Sequence, residues 1–600
     1  MLTVDPLTTY HTEKVKEYQD AIAGQAKNSN RIFYSRSVLF ILAVICFIYF
    51  FKPTPQLSFG IAGVTVILFL FLLRLEITLR RQATFLQNLI SIHQTELKIL
   101  KKDMSGLSEG NEFLNKEHPF VSDLDIFGRR SIFQLLNRTS TYTGKVKLAT
   151  WLSRPFLEAD IIQQRQEAIK ELSSDKEWAC HFIATGSANR EDSGDKEIIN
   201  GWLNEPSEFS SFSIKILTTL LPLVTIATGL LFCFGILSSY VFGLLFLFQL
   251  STTAREAKRI SKIHDRLSRR FDSIEKYRRL IELIEKRDFK SALIIEQKQL
   301  LKTEGPTAGT AIRNLKQFTD LLDARMNIIV AVLMNGLLLW DLNVMRRIEK
   351  WKTDNKSNFE KWIAVTGELD AYVSLGMYAA NNPAYIYPEI ERGGFVMEAK
   401  NIGHPMINED KLIRNDYSIS GKPKVDLLTG ANMAGKSTFL RTVGVNLTIA
   451  MIGAPVCAEY YRFSPIILFT SLRTNDSLQE NESFFYAELK RLNILTHNYE
   501  QGKEIFFLLD EILKGTNSKD QHSGSVSLIK KIIRLKGVGI VATHDVELSK
   551  LIDDYPDNIR NLCFDIQIKD NKLDFSYKLT PGVCSTMNAS FLMKQMGIVD

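Results

Sequence analysis

Thr429-Gly430-Ala431-Asn432-Met433-Ala434-Gly435-Lys436-Ser437-Thr438 reads G-x-x-x-x-G-K-S from its second residue. That is the pattern of a phosphate-binding loop, and its neighbours give it the context it needs. Val425-Asp426-Leu427-Leu428 before it is short and largely apolar, as a buried strand is; 437–452 after it has the length and leucine content of a helix. In that setting Gly430 and Gly435 let the backbone turn its N–H groups onto phosphate oxygens, and the helix N-terminus adds the positive end of its dipole. Lys436 is then placed to pair the β- and γ-phosphates, and Ser437 to hold Mg2+. A glycine-rich turn also satisfies so loose a pattern; two further strand ends decide between them.

Ile505-Phe506-Phe507-Leu508-Leu509 is an apolar run that ends in Asp510-Glu511. An acidic turn after a strand is common. Behind a phosphate loop, Asp510 would hold Mg2+ directly or through water, and Glu511 would polarise the attacking water. Gly539-Ile540-Val541-Ala542-Thr543 is another strand, ending at His544-Asp545, where a histidine can sense a γ-phosphate. Three strand ends with complementary groups predict a nucleotide hydrolase.

The details resemble the MutS family. TGANMAGKST over 429–438 is similar to that family's phosphate loop, with its Asn-Met pair inside. LLDEILKGT over 508–516 resembles its Walker B strand and following loop, and Ala542-Thr543-His544 its histidine switch. Ser483-Phe484-Phe485-Tyr486-Ala487-Glu488-Leu489 resembles the signature whose serine reaches the γ-phosphate of the opposite subunit. Gly403-His404-Pro405 resembles the motif that opens the ATPase domain. Leu412-Ile413-Arg414-Asn415-Asp416 resembles the adenine-contacting segment, with Leu412 where an aromatic is usual. The resemblance implies ATP and Mg2+ as cofactors. It implies a nucleotide site of Gly430, Ala431, Asn432, Met433, Ala434, Gly435, Lys436, Ser437 and Thr438 with Leu412 and Ile413. Ser437 and Asp510 would hold the metal; Glu511, His544 and, in trans, Ser483 would be catalytic. A homodimer follows from that shared site.

The 600 residues predict several domains, and a net charge of +7 permits nucleic acid or anionic lipid without requiring either. Six cysteines with no C-x-x-C pair exclude a disulfide framework or zinc module and fit a reducing compartment. Mean hydropathy is −0.04 although 24% of residues are charged, so the apolar residues are concentrated. They lie in 37–51 and 57–73, broken by Lys52-Pro53-Thr54-Pro55-Gln56, and in 216–254, which holds no charged residue. These predict two transmembrane hairpins, each first-hairpin arm a little short of the roughly 20 residues a span needs; a buried hairpin in a soluble core is the alternative. Arg31, Arg36, Arg74, Arg80, Arg81, Lys215, Arg255, Lys258 and Arg259 flank them, which puts both ends of each hairpin in the cytoplasm. No secretory signal is expected. The apolar run 327–340, holding Asn335, is too short to span and is read as a buried helix.

Leu135-Leu136-Asn137-Arg138-Thr139, Thr143-Gly144, Trp151-Leu152 and Arg165-Gln166 resemble the start of the family's helical core, and Glu368-Leu369-Asp370-Ala371 its end. The expected fold is therefore an α/β P-loop ATPase domain of the ABC/MutS type, C-terminal to an all-α core and lever domain, with two transmembrane helical hairpins. The expected division is 1–36 N-terminal cytoplasmic helix, 37–73 first hairpin, 74–215 linker and first core half, 216–254 second hairpin, 255–390 levers and second core half, and 391–600 ATPase domain. Residues 1–120 leave no room beside a hairpin for a mismatch-reading domain, and no Phe-x-Glu wedge stands there. The expected function is a MutS-like ATPase of the cytoplasmic (inner) membrane, with DNA, mismatched or branched, as its partner by resemblance. A membrane motor acting on a protein or lipid is the alternative. A transporter ranks last, because nothing charged lines the spans.

Overall fold

The computed structural model describes residues 5–51, 55–188, 191, 194–303, 305–431, 433–472, 484–569 and 572–584. Two 46-residue helices, α1 (Pro6–Phe51) and α2 (Pro55–Leu100), pack along each other as one long hairpin. The polar N-terminal segment and the apolar arm are thus one continuous helix. The boundaries expected at 36/37 and 73/74 are changes of composition, not of structure. Where the apolar stretch ends, Glu76 is buried between Arg36 (2.5 Å) and Arg80 (2.7 Å).

The helical core follows as α3 (Ile132–Leu136), α4 (Tyr142–Ser153), α5 (Ala159–Ser173), α6 (Lys176–Ser187) and α7 (Asp195–Asn204). After the second hairpin, α8 (Phe212–Cys233) and α9 (Ser239–Arg269), come α10 (Phe271–Lys286), α11 (Ala292–Gln299), α12 (Ala308–Asp323), α13 (Ile328–Leu338) and the 41-residue α14 (Trp340–Ala380). Helix α14 closes the core against α4 and α5, so the two segments read as halves of one domain do meet. Their join is Asp370. It is fully buried, and its carboxylate accepts from the backbone N–H groups and hydroxyls of Ser140 and Thr141 at 2.7–3.2 Å. Burial raises this carboxyl to about 6. Asp370→Ala strands those buried donors and is expected to cost roughly 3 kcal/mol, read as a lowered thermal midpoint. The sign of its pH dependence follows from the raised folded value. This group's stabilisation is full below its unfolded value of 3.8 and declines as pH rises through 6, a slope that Asp370→Asn removes.

The second hairpin turns between Cys233 and Ser239. Pro222 sits inside α8 and cannot donate to the carbonyl of Thr218; the Asn343 side chain of α14 donates to that oxygen at 3.1 Å. Gln249 of α9 donates to Leu221 O at 3.1 Å and to Thr225 Oγ1. The carbonyls of Thr218 and Leu221 around the proline are therefore answered from within the protein. Among the described residues, α1, α2 and α8 are long and apolar enough to cross a membrane; α9 turns polar after its first half.

The run 327–340 is not a buried helix. Helix α13 packs on α9 through Gly336, where the Phe246 ring leaves no room for a Cβ, and it turns the other side outward, with Ile328 76% and Ile329 67% exposed. Asn335 is buried for a local reason: its Oδ1 accepts from Asp341 N at 2.9 Å at the start of α14. Helices α8, α9 and α13 thus share one exposed apolar belt, with Phe212, Leu223, Leu230, Leu244 and Leu333 on it.

The C-terminal unit holds two sheets. A small one has the order β1-β5-β2-β3, from β1 (Glu389–Ile390), β2 (Val396–Ile402), β3 (Asn415–Ser420) and, after β4 (Lys424–Gly430), β5 (Tyr460–Phe463). The large one has six strands. Its members are β4, β6 (Ile467–Ser471), β7 (Ile505–Asp510), β8 (Val538–Thr543), β9 (Ile559–Lys569) and β10 (Lys572–Pro581), in the order β10-β9-β4-β8-β7-β6. All its pairs are parallel except β9–β10. Its central strands are buried along almost their whole length, which is why 505–509 and 539–543 read as continuous apolar runs. Helices α15 (Lys436–Met451), α16 (Phe484–Glu500), α17 (Ser518–Arg534) and α18 (Leu551–Asp554) complete the unit.

Arg165 ties the core to the sheet unit, and Arg138 ties it to the long hairpin. Buried Arg165 of α5 stacks on Trp151 at 3.8 Å and donates to Ile452 O at 2.8 Å, at the C-terminal end of α15. Arg138 binds Glu96 of α2 through two bonds (2.7 and 3.1 Å), and Asn381 at the end of α14 donates to the same Glu96 at 2.8 Å. The long hairpin, the core and α14 are thereby joined at one buried point.

Candidate nucleotide site

The register of the large sheet brings the three strand ends together: Thr429 of β4 lies opposite Thr543 of β8, and Ala542 of β8 opposite Asp510 of β7. The loop from β4 into α15 turns at Met433 (φ 66°) and Gly435 (φ 105°). At Gly435 a Cβ would also meet the Tyr577 ring at 3.1 Å, so glycine is required there twice over. Lys436 is buried, its ammonium donating to Gly430 O (2.6 Å) and Ala431 O (3.2 Å) and lying 3.1 Å from His544 Nε2. Burial lowers its pKa. A buried ammonium resting on loop carbonyls is poised to exchange them for phosphate oxygens.

Ser437 Oγ donates to Asp510 Oδ2 at 2.5 Å, and Asp510 Oδ1 is buried with no hydrogen-bond partner. Burial raises this carboxyl. A hydroxyl and an acid with an unanswered oxygen are a donor set that fits a hard cation such as Mg2+, which fills its remaining positions with phosphate and water. Glu511 (φ 48°) is the residue where the chain leaves β7. Its carboxylate binds His544 Nε2 at 2.6 Å and Lys514 Nζ at 2.5 Å, and these partners, His544 first, hold its pKa down at about 2.

The turn after Glu511 has its own support. Leu513 also has positive φ (61°), and its N–H donates to the buried carboxylate of Glu488 at 2.5 Å. Glu488 lies on α16, within the segment read as a signature, so that segment holds the 511–513 turn of its own chain. Ser483 and Asn432 lie outside the described residues.

A cavity of about 510 Å³ opens beside the loop. Ala431, Met433, Ala434, Gly435, Lys436, Ser437, Thr438 and Glu511 line it on one side, and Leu412 and Ile413 on the other, so the structure brings those expected residues together. Gly430 takes part through its carbonyl, and Asp510 and His544 reach the site through Ser437 and Glu511. Also lining it are His404 and Asn415, each inside a motif quoted above but not named for the site, and Phe564 and Tyr577, which sequence reasoning did not assign. Tyr577, on β10, puts an aromatic face on the cavity where Leu412 has none. His404 was legible only as part of a motif; burial lowers its pKa to about 4, so it is neutral near pH 7. In chemical terms the cavity can seat a base between apolar side chains and an aromatic one. It can also lead a polyphosphate to Lys436, with a metal-competent pair and an ionised carboxylate beyond it.

Comparison with known proteins agrees. Residues 113–376 match the model of MutS domain III, and residues 426–595 match that of MutS domain V. The DNA mismatch repair protein MutS of Ehrlichia ruminantium (strain Gardel) is 34% identical over 218 residues, 36% of this chain and 26% of the relative. "MutS protein homolog 4" of Homo sapiens is 30% identical over 230 residues, 37% of this chain and 24% of the relative. The MutS of Finegoldia magna is 31% identical over 252 residues, 40% and 28%. The chain spans about a quarter of the length of these relatives. With helical core and sheet unit matched in chain order over more than half its length, and with the strand-end groups converging as described, the chain belongs to the MutS family.

Proposed function

We propose that this protein is a membrane-anchored ATPase of the MutS family. The observation that carries the reading is the convergence of Lys436, Ser437, Asp510, Glu511 and His544 at the ends of three neighbouring parallel strands, beside a cavity of nucleotide size. Lys436 leaves its loop carbonyls to bind the phosphates of ATP. Ser437 and Asp510 hold Mg2+, which when bound neutralises phosphate charge. Glu511 orients the attacking water. With a pKa near 2 it is a weak base while His544 and Lys514 hold it; drawing those partners toward the γ-phosphate frees it at the moment of attack. Because α15 starts at the loop and its end is held by Arg165, loop movements pass into the core and α14. By family, the active form is a homodimer, with Ser483 completing the partner's site.

DNA is the partner the names of the relatives suggest. The exposed belt on α8, α9 and α13 favours a second reading, in which the levers act in or on the bilayer. ATP turnover in detergent, measured with and without duplex, mismatched and branched DNA over a salt series, separates the two. DNA held by phosphate contacts stimulates turnover at low salt, loses that effect steeply as salt rises, and distinguishes matched from mismatched duplex by less than ~1 kcal/mol. Turnover indifferent to all three DNAs at low salt leaves the bilayer reading.

The anchoring has its own test. The protein is expected to stay with membranes through carbonate extraction, and cysteines placed at Gln56 and Ser238 to react only with reagent on the side away from the ATPase unit. Release by carbonate would make both hairpins soluble structure. The proposed location is the cytoplasmic (inner) membrane, with the ATPase unit in the cytoplasm.

A further inference from the structure

A second cavity, of about 580 Å³, lies at the junction of three loops. Its walls are the 101–109 loop that follows α2, Arg129 and Arg130 ahead of α3, and the 406–411 loop of the sheet unit. Ile407 and Lys411 line both this cavity and the nucleotide cavity. Its charge is one-sided. Lys101, Lys102, Arg129, Arg130 and Lys411 face it against Asp103 and Glu109. Lys102 is held by Pro405 O at 2.8 Å; Lys101, Arg129, Arg130 and Lys411 make no ion pair among the described residues.

The walls are also built rather than loose. Lys102 and Arg130 both carry positive φ (each 55°), a conformation that costs energy in a residue with a side chain. Buried Gln134 ties Arg130 to the loop that follows Lys102: its Oε1 accepts from Arg130 N at 2.6 Å, and its Nε2 donates to Leu107 O at 3.0 Å. One side chain thus clamps two cation-bearing loops against each other. Concentrating unpaired cations in a concavity, with strained backbone held in place, stabilises an anion and otherwise only costs repulsion.

We propose that this cavity binds a ligand with two or more linked phosphate groups. Its volume exceeds what one phosphate fills and is comparable to that of the nucleotide cavity. Bounded on three sides by loops, it suits a small molecule better than a nucleic-acid backbone, which needs a groove to run along. The phosphates could be carried by a nucleoside or be inorganic; the cations recognise what the two share. The inference does not depend on the first cavity holding ATP.

The test uses the full chain carrying Lys436→Ala, so that the loop at 429–438 does not contribute. Calorimetric titration with inorganic pyrophosphate and, separately, with a nucleoside diphosphate is expected to give saturable one-site binding for at least one of them. Arg129→Gln with Arg130→Gln should weaken it tenfold or more, and Lys101→Gln, on a different wall, should weaken it too. Tighter binding of the diphosphate identifies a nucleotide ligand; equal or tighter pyrophosphate binding identifies an inorganic one. Saturable binding of neither, or binding unchanged in these variants, overturns the proposal. So does binding of duplex DNA or phosphatidylglycerol vesicles that needs Arg129 and Arg130 while both small ligands fail to bind.

Discussion

Glu511→Gln is expected to bind ATP as the native chain does and to turn it over at least ~10²-fold more slowly. The side chain sits where the chain leaves β7 in a left-handed turn, held by His544 at 2.6 Å and Lys514 at 2.5 Å. The amide keeps the size and loses the charge, so binding through Lys436 and the loop is untouched while the group that orients water is weakened. Substrate binding and single-turnover rate, measured on the same preparation, separate the two effects. Native single-turnover rates in Glu511→Gln would remove this residue from the chemistry and shift attention to His544.

Lys436→Ala is expected to abolish measurable ATP binding at the first cavity. The ammonium reaches into the loop, and its partners there among the described residues are two carbonyls and His544. Without it, the phosphates meet Asp510 and Glu511 with one less positive charge between them. The structural cost is small, because among the described residues Lys436 makes no buried ion pair that its loss would leave open. Retained affinity within a few-fold of native, by equilibrium binding of a fluorescent ATP analogue, contradicts the assignment.

Much of this was legible because it is local. Strand, glycine turn and helix follow one another over 425–452, and the apolar runs at 505–509 and 539–543 are the central strands they were expected to be. Composition carried less of the helical part. A helix that is apolar all round does not say by its composition what covers it, and 327–340 was assigned to the interior because it is too short to span and holds Asn335. Its exposed side follows from Gly336 meeting Phe246 on one face only, a pairing of residues ninety positions apart in the chain. The cut at 36/37 is a change of polarity and not a break in the helix, which continues from Pro6 to Phe51 through it. Long-range partners were hidden altogether. Nothing near Glu488 signals that it accepts from Leu513, nor near Tyr577 that its ring faces Gly435. The basic cavity draws on 101–109, 129–134 and 406–411, and only the fold brings those segments together.

The central claim is that the three strand ends form a working ATPase site. It is tested most directly by ADP formation by the full chain, extracted from membranes in mild detergent and supplied with saturating ATP, with Mg2+ and then with a chelator. The account predicts turnover that requires the metal and disappears in Lys436→Ala. Folded native protein that forms no ADP with metal present, or turnover that persists undiminished in Lys436→Ala, would contradict it.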